Sequence, residues 1–258
     1  MMKIGMAFSG GGARGVAHIG VLKAFEENNI KLDVVSGTSA GSIVAALYAN
    51  GFSSEDMMEF VRDTTIFKFF SMRLPTGGLV KTTFLEEKIL KMIPHNDFAK
   101  LNIPLKIAVT NLTKGIPEIK EKGSIVDAVV PSCSIPIVFP PYHIDNQVYT
   151  DGGLMMNLPA RVIKKDCNLL IGSNLIPYVD IDNHELTTMK EIGIRCFDLV
   201  VNQNTTIDVD ACDLIINHFG LRNMTLFSIS KADEIFQIGY ESALKIIPQL
   251  IQTLESKQ

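Results

Sequence analysis

Apolar residues in this chain fall into short continuous runs, each followed by a glycine turn and then by apolar positions at helical spacing. Residues 3–8 read as a buried strand, and residues 9–15 as a glycine-rich turn. From Val16 to Asn28 the apolar positions Val16, Ile19, Leu22, Ala24 and Phe25 recur as on one face of a helix. The same order repeats at once: a strand over residues 31–36, a tight turn over 37–41, and a helix over 42–50 stopped by Gly51. Strand, glycine turn and helix, twice in succession, predict a mainly parallel sheet with helices on its faces.

Further along, residues 54–62 and 83–93 predict helices, and 104–111 a strand that residues 116–120 could pair with. Residues 125–130 predict a helix ended by Pro131, 143–150 a hairpin, and 168–175 another buried strand. A long helix over 185–204, a strand over 214–217 and one C-terminal helix over 231–254 complete the pattern. Neither a linker nor an internal repeat interrupts it, so the expectation is one domain spanning residues 1–258.

Composition narrows the function. The 258 residues are 47% hydrophobic and 20% charged, with a net charge of -4 and a pI near 5.8. Such a chain can bury a core, and it lacks the basic stripe of a nucleic-acid binder. The cluster from Lys114 to Lys122 is interrupted by Glu118 and Glu121 and reads as a solvated hairpin face. Cys133, Cys167, Cys196 and Cys212 are scattered, with no C-x-x-C pair, which argues against a zinc site. No run of about 18 apolar residues predicts a spanning helix. The expectation is a cytoplasmic protein whose membrane contact, if any, is peripheral.

Two turns carry candidate chemistry. Gly37-Thr38-Ser39-Ala40-Gly41 fits G-x-S-x-G between a strand and a helix, the setting of a nucleophile elbow. Such a turn needs tiny flanking residues, here Gly37, Ala40 and Gly41. The bland alternative is a serine capping a helix. Gly10-Gly11-Gly12-Ala13-Arg14-Gly15 also follows a strand and opens a helix. Its exposed amides suit a phosphate cradle or an oxyanion hole. A dinucleotide site would want an acid at the C-terminal end of the second strand. Asp33 lies at the start of that strand, and Gly37 and Ser39 occupy the place where the acid belongs.

A serine needs a base. None of His18, His95, His143, His184 and His218 has a context that marks one, and His18 reads as structural. Asp151, which ends a strand in front of Gly152 and Gly153, is the better candidate, because a partly buried carboxylate can have a raised pKa. On its own, Asp-Gly-Gly is usually a turn.

Together, G-G-G-x-R-G (Gly10 to Gly15), G-T-S-A-G (Gly37 to Gly41) and D-G-G (Asp151 to Gly153) resemble the motifs of the patatin-like phospholipases, in order and in spacing. The stretch Ser132-Cys133-Ser134-Ile135-Pro136 through Phe139-Pro140-Pro141 resembles the family's approach to its aspartate. The resemblance covers residues 4–165. It implies a three-layer α/β/α fold and a Ser39–Asp151 dyad without histidine. It further implies oxyanion-hole amides from Gly11 and Gly12, joined by Ala40, and an Arg14 that anchors the loop or a phosphate headgroup. The expected substrate is a lipid or other ester, with no metal or cofactor needed for the chemistry. One departure is Met156 in Leu154-Met155-Met156-Asn157-Leu158-Pro159, where the family often has asparagine; it puts polar support of the dyad in question.

Phe67, Phe69, Phe70, Met72 and Leu74 form the most lipid-like stretch, read either as a lid or as irregular core. Met155 and Met156 read as core filling or as the wall of an acyl channel. Three functions stay open: a lipid acyl hydrolase, a small-ester or thioester hydrolase on the same site, and an idle lipid-binding protein. A phosphate-binding enzyme is the weakest reading. Oligomeric state is not legible.

Overall fold

A computed structural model describes residues 2–62, 83–136, 138–182 and 186–256. The phenylalanine-rich stretch at 67–74 lies outside the described residues.

Eight strands form one sheet: β1 (Ile4–Phe8), β2 (Val34–Gly37), β3 (Leu105–Asn111), β4 (Ile116–Lys120), β5 (Tyr142–Ile144), β6 (Gln147–Asp151), β7 (Leu169–Asn174) and β8 (Leu214–Asn217). Their order is β5-β6-β3-β2-β1-β7-β8, with β4 also on β3. The centre is parallel, from β3 through β8, and the β4, β5 and β6 margin is antiparallel.

Side chains on each central strand alternate between two cores, as the period of two requires. Met6 and Phe8 of β1, Val35 of β2 and Ile171 of β7 join the larger core. Ala7, Val34 and Leu170 join a smaller one with Leu158, Ala160 and Ile163 on the opposite face. Helices α1 (Val16–Glu27), α2 (Ala40–Ala49), α3 (Ser54–Arg62), α4 (Thr83–Met92) and α5 (Val126–Ser132) contribute to the larger core. The smaller core is roofed by the segment after β6 and by α6 (Met189–Ala211), tied down by Arg161 to the buried Asp208 at 3.1 Å and by Asn204 to the Leu154 carbonyl at 3.0 Å. The result is a mixed α/β sandwich with helices flanking a central sheet. Among the described residues no helix is long and apolar enough to cross a membrane.

The predicted C-terminal helix is two helices, α7 (Ala232–Leu244) and α8 (Ile247–Ser256). Pro248 has no N–H to donate back to Leu244, so the helix ends there and restarts with the proline in its first turn. The long helix begins later and ends later than its pattern suggested, at Met189 and Ala211. Pro131 lies inside the last turn of α5 rather than beyond it. The hairpin turns through Asp145 and Asn146, both at positive φ (47° and 61°), the backbone that a two-residue turn of matching twist needs. The Lys114–Lys122 region is the solvated hairpin expected, with Glu118 held by Lys114 at 3.3 Å and Lys120 at 3.2 Å.

Asp33 lies at the N-terminal end of β2, where its carboxylate accepts from the Ile4 amide at 2.7 Å. It is thus at the opposite end of the sheet from the glycine turn, as the argument against a dinucleotide site required.

Candidate active site

The register of β3 positions the site. Ile107 pairs with both Gly37 and Lys120, and Val109 with both Glu118 and Asp151. Because β4 pairs with β3 from Ile107 to Asn111, overlapping the pairings of both β2 and β6, those two strands must share the other edge in succession. β6 takes over where β2 stops, so its last residue, Asp151, arrives where the chain leaving β2 turns through Ser39.

Ser39 has φ 52° and ψ -129°, a backbone region strained for any residue with a Cβ. The strain is held from several sides. The Ser39 amide donates to Ser132 Oγ at 2.8 Å, and Ser132 Oγ donates to the Ala108 carbonyl at 2.7 Å. Thr38 N donates to the Phe8 carbonyl at 3.1 Å and Thr38 Oγ1 to the Met156 carbonyl at 2.8 Å. The departure at Met156 therefore acts through its backbone, and the Thr38 anchor does not depend on its side chain. Close packing explains the small residues: a Cβ on Gly41 would strike the Phe8 carbonyl, and one on Gly37 the Gly41 carbonyl.

Ser39 stands at the N-cap of α2, yet its hydroxyl makes no capping bond. It lies near the Asp151 carboxyl, close enough to lower that group's pKa. Asp151 is almost fully buried, and burial pushes its pKa up to about 6, against the lowering effect of Ser39 and the Gly153 amide. The Gly153 N–H lies 2.7 Å from Asp151 Oδ1, so Asp151 caps the turn that follows it. The Asp151 amide and the Thr150 hydroxyl both donate to the Ser134 carbonyl, at 3.0 and 2.6 Å.

The glycine loop faces this pair. Gly12 has φ 58° and lies against the Leu226 backbone, which leaves no room for a side chain. Arg14 N and Nε both donate to the Gly11 carbonyl, at 3.2 and 3.3 Å. In a trans peptide the N–H points opposite to the C=O, so fixing the Gly11 carbonyl turns the Gly12 N–H the other way. The amides of Gly11, Gly12 and Ala40 have no hydrogen-bond partner among the described residues, whereas Gly10 N is bonded to the Asn157 carbonyl at 3.1 Å.

One narrow cavity of about 40 Å³ is lined by Gly10, Gly11, Gly12, Ser39, Asp151, Gly153 and Asn157 among others. Gly10, Gly11, Gly12, Ser39, Asp151 and Gly153 of the expected site residues thus meet there, whereas Ala40 does not line it. Gly15 and Gly152 allow close approach, of Gly15 to Ala40 and of Gly152 to the Ala108 backbone. Arg14 is on the far side of the loop, lining a different cavity. Gly12 and Ala40 also border an apolar hollow with Val16, Ile19, Ile43, Val44, Leu47 and Phe60. His18 is buried and structural, bonded to the Ser9 carbonyl at 2.9 Å and to Ser173 Oγ at 2.8 Å, and burial lowers its pKa to about 4.

Two residues were not assigned roles from sequence. Ser132 belongs to the serine-rich stretch, but its bond to the Ser39 amide spans 93 positions. Asn157 is buried at the cavity wall, and its Nδ2 has no partner among the described residues.

Residues 6–163 match the family described as patatin-like phospholipase. With that match spanning more than half of its length, the chain belongs to the patatin-like phospholipase family. It is 32% identical over 173 residues to an uncharacterized NTE family protein of Mycobacterium tuberculosis, covering 63% of this chain and 28% of that one. It is 30% identical over 200 residues to lysophospholipase NTE1 of Mycosarcoma maydis, covering 74% of this chain and 10% of the other. To patatin-like phospholipase domain-containing protein 6 of Homo sapiens it is 27% identical over 198 residues, 74% of this chain and 14% of that. The chain thus spans less than a third of the length of these relatives. Its fold is similar to VipD of Legionella pneumophila, with a TM-score of 0.55, 17% identity, and coverage of 96% of this chain and 67% of that chain.

Proposed function

We propose that this protein is a serine acyl hydrolase that cleaves carboxylic esters of lipids or phospholipids through a Ser39–Asp151 dyad, and that the chain works as a single folded unit. The observation that carries the proposal is the Ser39 hydroxyl. At a helix N-cap it would ordinarily serve the helix, but here it makes no capping bond and shares a cavity with a buried carboxylate and the glycine loop.

Asp151 accepts the Ser39 proton as Oγ attacks the ester carbonyl. The amides of Gly11, Gly12 and Ala40 stabilise the oxyanion, a contribution of about 3–4 kcal/mol for a single donor in comparable sites. Asp151 then protonates the departing alcohol or lysolipid. Water enters, gives a proton to Asp151 and attacks the acyl-serine; the intermediate collapses to the fatty acid, and Ser39 regains its proton. No step calls on a metal or cofactor.

The apolar hollow beyond Gly12 and Ala40, whose wall is aliphatic and aromatic, suits the start of an acyl chain. That lining favours a lipid over a small ester or thioester. Lysophospholipase activity in a named relative points the same way. For peripheral membrane contact, α6 carries exposed apolar side chains at Met189, Ile192, Leu199, Val200 and Ile207, near exposed Phe219 and Tyr178.

Intact-mass labelling with a lipid-like fluorophosphonate tests the dyad. One adduct on wild type, none on Ser39→Ala and slow labelling of Asp151→Asn are expected. Folded wild type that stays unlabelled, even with detergent or vesicles, would replace this reading with that of an idle lipid-binding protein.

A further inference from the structure

A second cavity, of about 250 Å³, lies on the other side of the glycine loop. It is enclosed by the chain leaving β7, by α6 and by the turn after β8. Two guanidinium groups on its wall have fixed positions. Arg14 Nε is held by the Gly11 carbonyl at 3.3 Å. Arg195 Nη2 donates to the Val179 carbonyl at 2.9 Å, and its guanidinium lies 5.5 Å from the centre of the Tyr178 ring. One carboxylate lines the cavity, Asp198, and its charge acts on both arginines. Arg222 lines the cavity as well, so among the described residues three guanidinium groups and one carboxylate line it, and a further anion is favoured there.

A further polar group is His218, whose proton can be placed by following a buried chain of hydrogen bonds. The Ser9 carbonyl can only accept, so His18 Nε2, 2.9 Å away, carries a hydrogen. Burial keeps His18 neutral, so its Nδ1 is a lone pair and accepts from the Ser173 hydroxyl at 2.8 Å. Ser173 Oγ has then used its hydrogen and accepts from His218 Nε2–H at 2.9 Å. His218 is also kept neutral, by burial and then by the nearby His18, which leaves Nδ1 as an acceptor. That atom is buried without a partner among the described residues, and His218 lines the cavity.

The wall therefore offers positive charge and one orphaned acceptor. A fully ionised oxyanion would satisfy the arginines but set its lone pairs against that of His218 Nδ1. An oxyanion that keeps one proton satisfies both. We propose that this cavity binds a protonated phosphate monoester group, with Arg14 and Arg195 on its charged oxygens and His218 Nδ1 accepting from its P–OH. The group can come from a lipid with a terminal phosphate or from a soluble phosphate. Because Arg14 also holds the Gly11 carbonyl, occupancy bears on the loop whose amides face Ser39. The binding itself does not depend on the proposed hydrolysis.

Calorimetry at pH 6 on the full chain, in the Ser39→Ala form to exclude turnover, tests this with inorganic phosphate, glycerol phosphate, sulfate and a short-chain lysophosphatidate below micellar concentration. Near this pH a phosphate monoester retains a proton in a substantial fraction of molecules. Saturable 1:1 binding of inorganic phosphate is expected, with sulfate at least about tenfold weaker and phosphate binding weakened about tenfold or more by Arg195→Gln. The 15N resonance of His218 Nδ1 should move on adding phosphate. Lysophosphatidate binding more tightly than glycerol phosphate, in competition with inorganic phosphate, would identify the lipid source; equal affinities would identify the soluble one. Absence of saturable phosphate binding to the folded protein, sulfate binding as tightly, or an unchanged affinity in folded Arg195→Gln would each overturn the proposal. Fluorophosphonate labelling of wild type reads the dyad separately, so either idea can fail alone.

Discussion

The Ser39 amide donates to the Ser132 hydroxyl at 2.8 Å, and this one hydroxyl links the strained turn after β2 to both α5 and the Ala108 carbonyl of β3. Ser39 N is thereby occupied, which leaves the neighbouring Ala40 N, and not its own, to join the glycine-loop amides.

Replacing Ser132 with alanine should leave two buried backbone groups unpaired. Destabilisation of about 1–3 kcal/mol is expected in denaturant unfolding. A drop of roughly 10–100-fold in kcat is also expected, because the Ser39 turn loses its tether. Unchanged turnover alongside the stability loss would mean that the turn holds its shape without Ser132.

At Ser39 itself the usual ranking of alanine and glycine should invert. Both substitutions abolish acyl transfer, but φ 52° with ψ -129° suits a residue without Cβ. Ser39→Gly should be more stable than Ser39→Ala by about 1–2 kcal/mol, read from thermal or chemical unfolding of the two variants. Equal stabilities would mean that the turn relaxes once the serine is gone.

Asp151 has a pKa raised to about 6, which makes two predictions with opposite signs. For catalysis the base must be ionised, so kcat/KM should fall as pH drops through about 6, and Asp151→Asn should lose roughly 10²–10⁴-fold. For stability, a raised carboxyl pKa means the folded state binds more protons than the unfolded state between about pH 4 and 6. Ionised Asp151 therefore destabilises the fold above that window and does not below it. Asp151→Asn should be more stable than wild type at pH 7, by up to about 3 kcal/mol, and the gain should vanish near pH 4. An acid limb that stays near pH 6 in Asp151→Asn would assign that limb to another group.

In the apolar hollow, Val44→Phe should shift ester preference toward shorter acyl chains. Each methylene that no longer fits changes kcat/KM by about tenfold. A panel of esters differing only in chain length reads this directly, and an unchanged profile would move the acyl site elsewhere.

Local chemistry made the elements and the three motifs legible in the sequence. Glycine runs between apolar stretches mark strand-to-helix turns wherever they occur, because a side chain would clash there, and this property belongs to the turn itself. Parallel strands of one sheet bring such turns to the same edge, so Ser39 and the Gly10–Gly15 loop could be placed together before any coordinates. Asp33 could be excluded for the same reason. Helix ends at Pro248 and Pro131 are not legible in the same way, because the cost of a proline depends on which carbonyl it leaves unpaired.

The tertiary structure alone decided the rest, since contacts across long sequence separations have no local signature. Only the handover of the β3 edge from β2 to β6 delivers Asp151 to Ser39. Only folding brings Ser132 under the Ser39 amide, leaves Asn157 Nδ2 unpaired at the cavity wall, and assembles Arg14, Arg195 and His218 from three distant segments. The raised pKa of Asp151 also belongs to this level, because it comes from burial, and no carboxylate carries its own desolvation in the sequence.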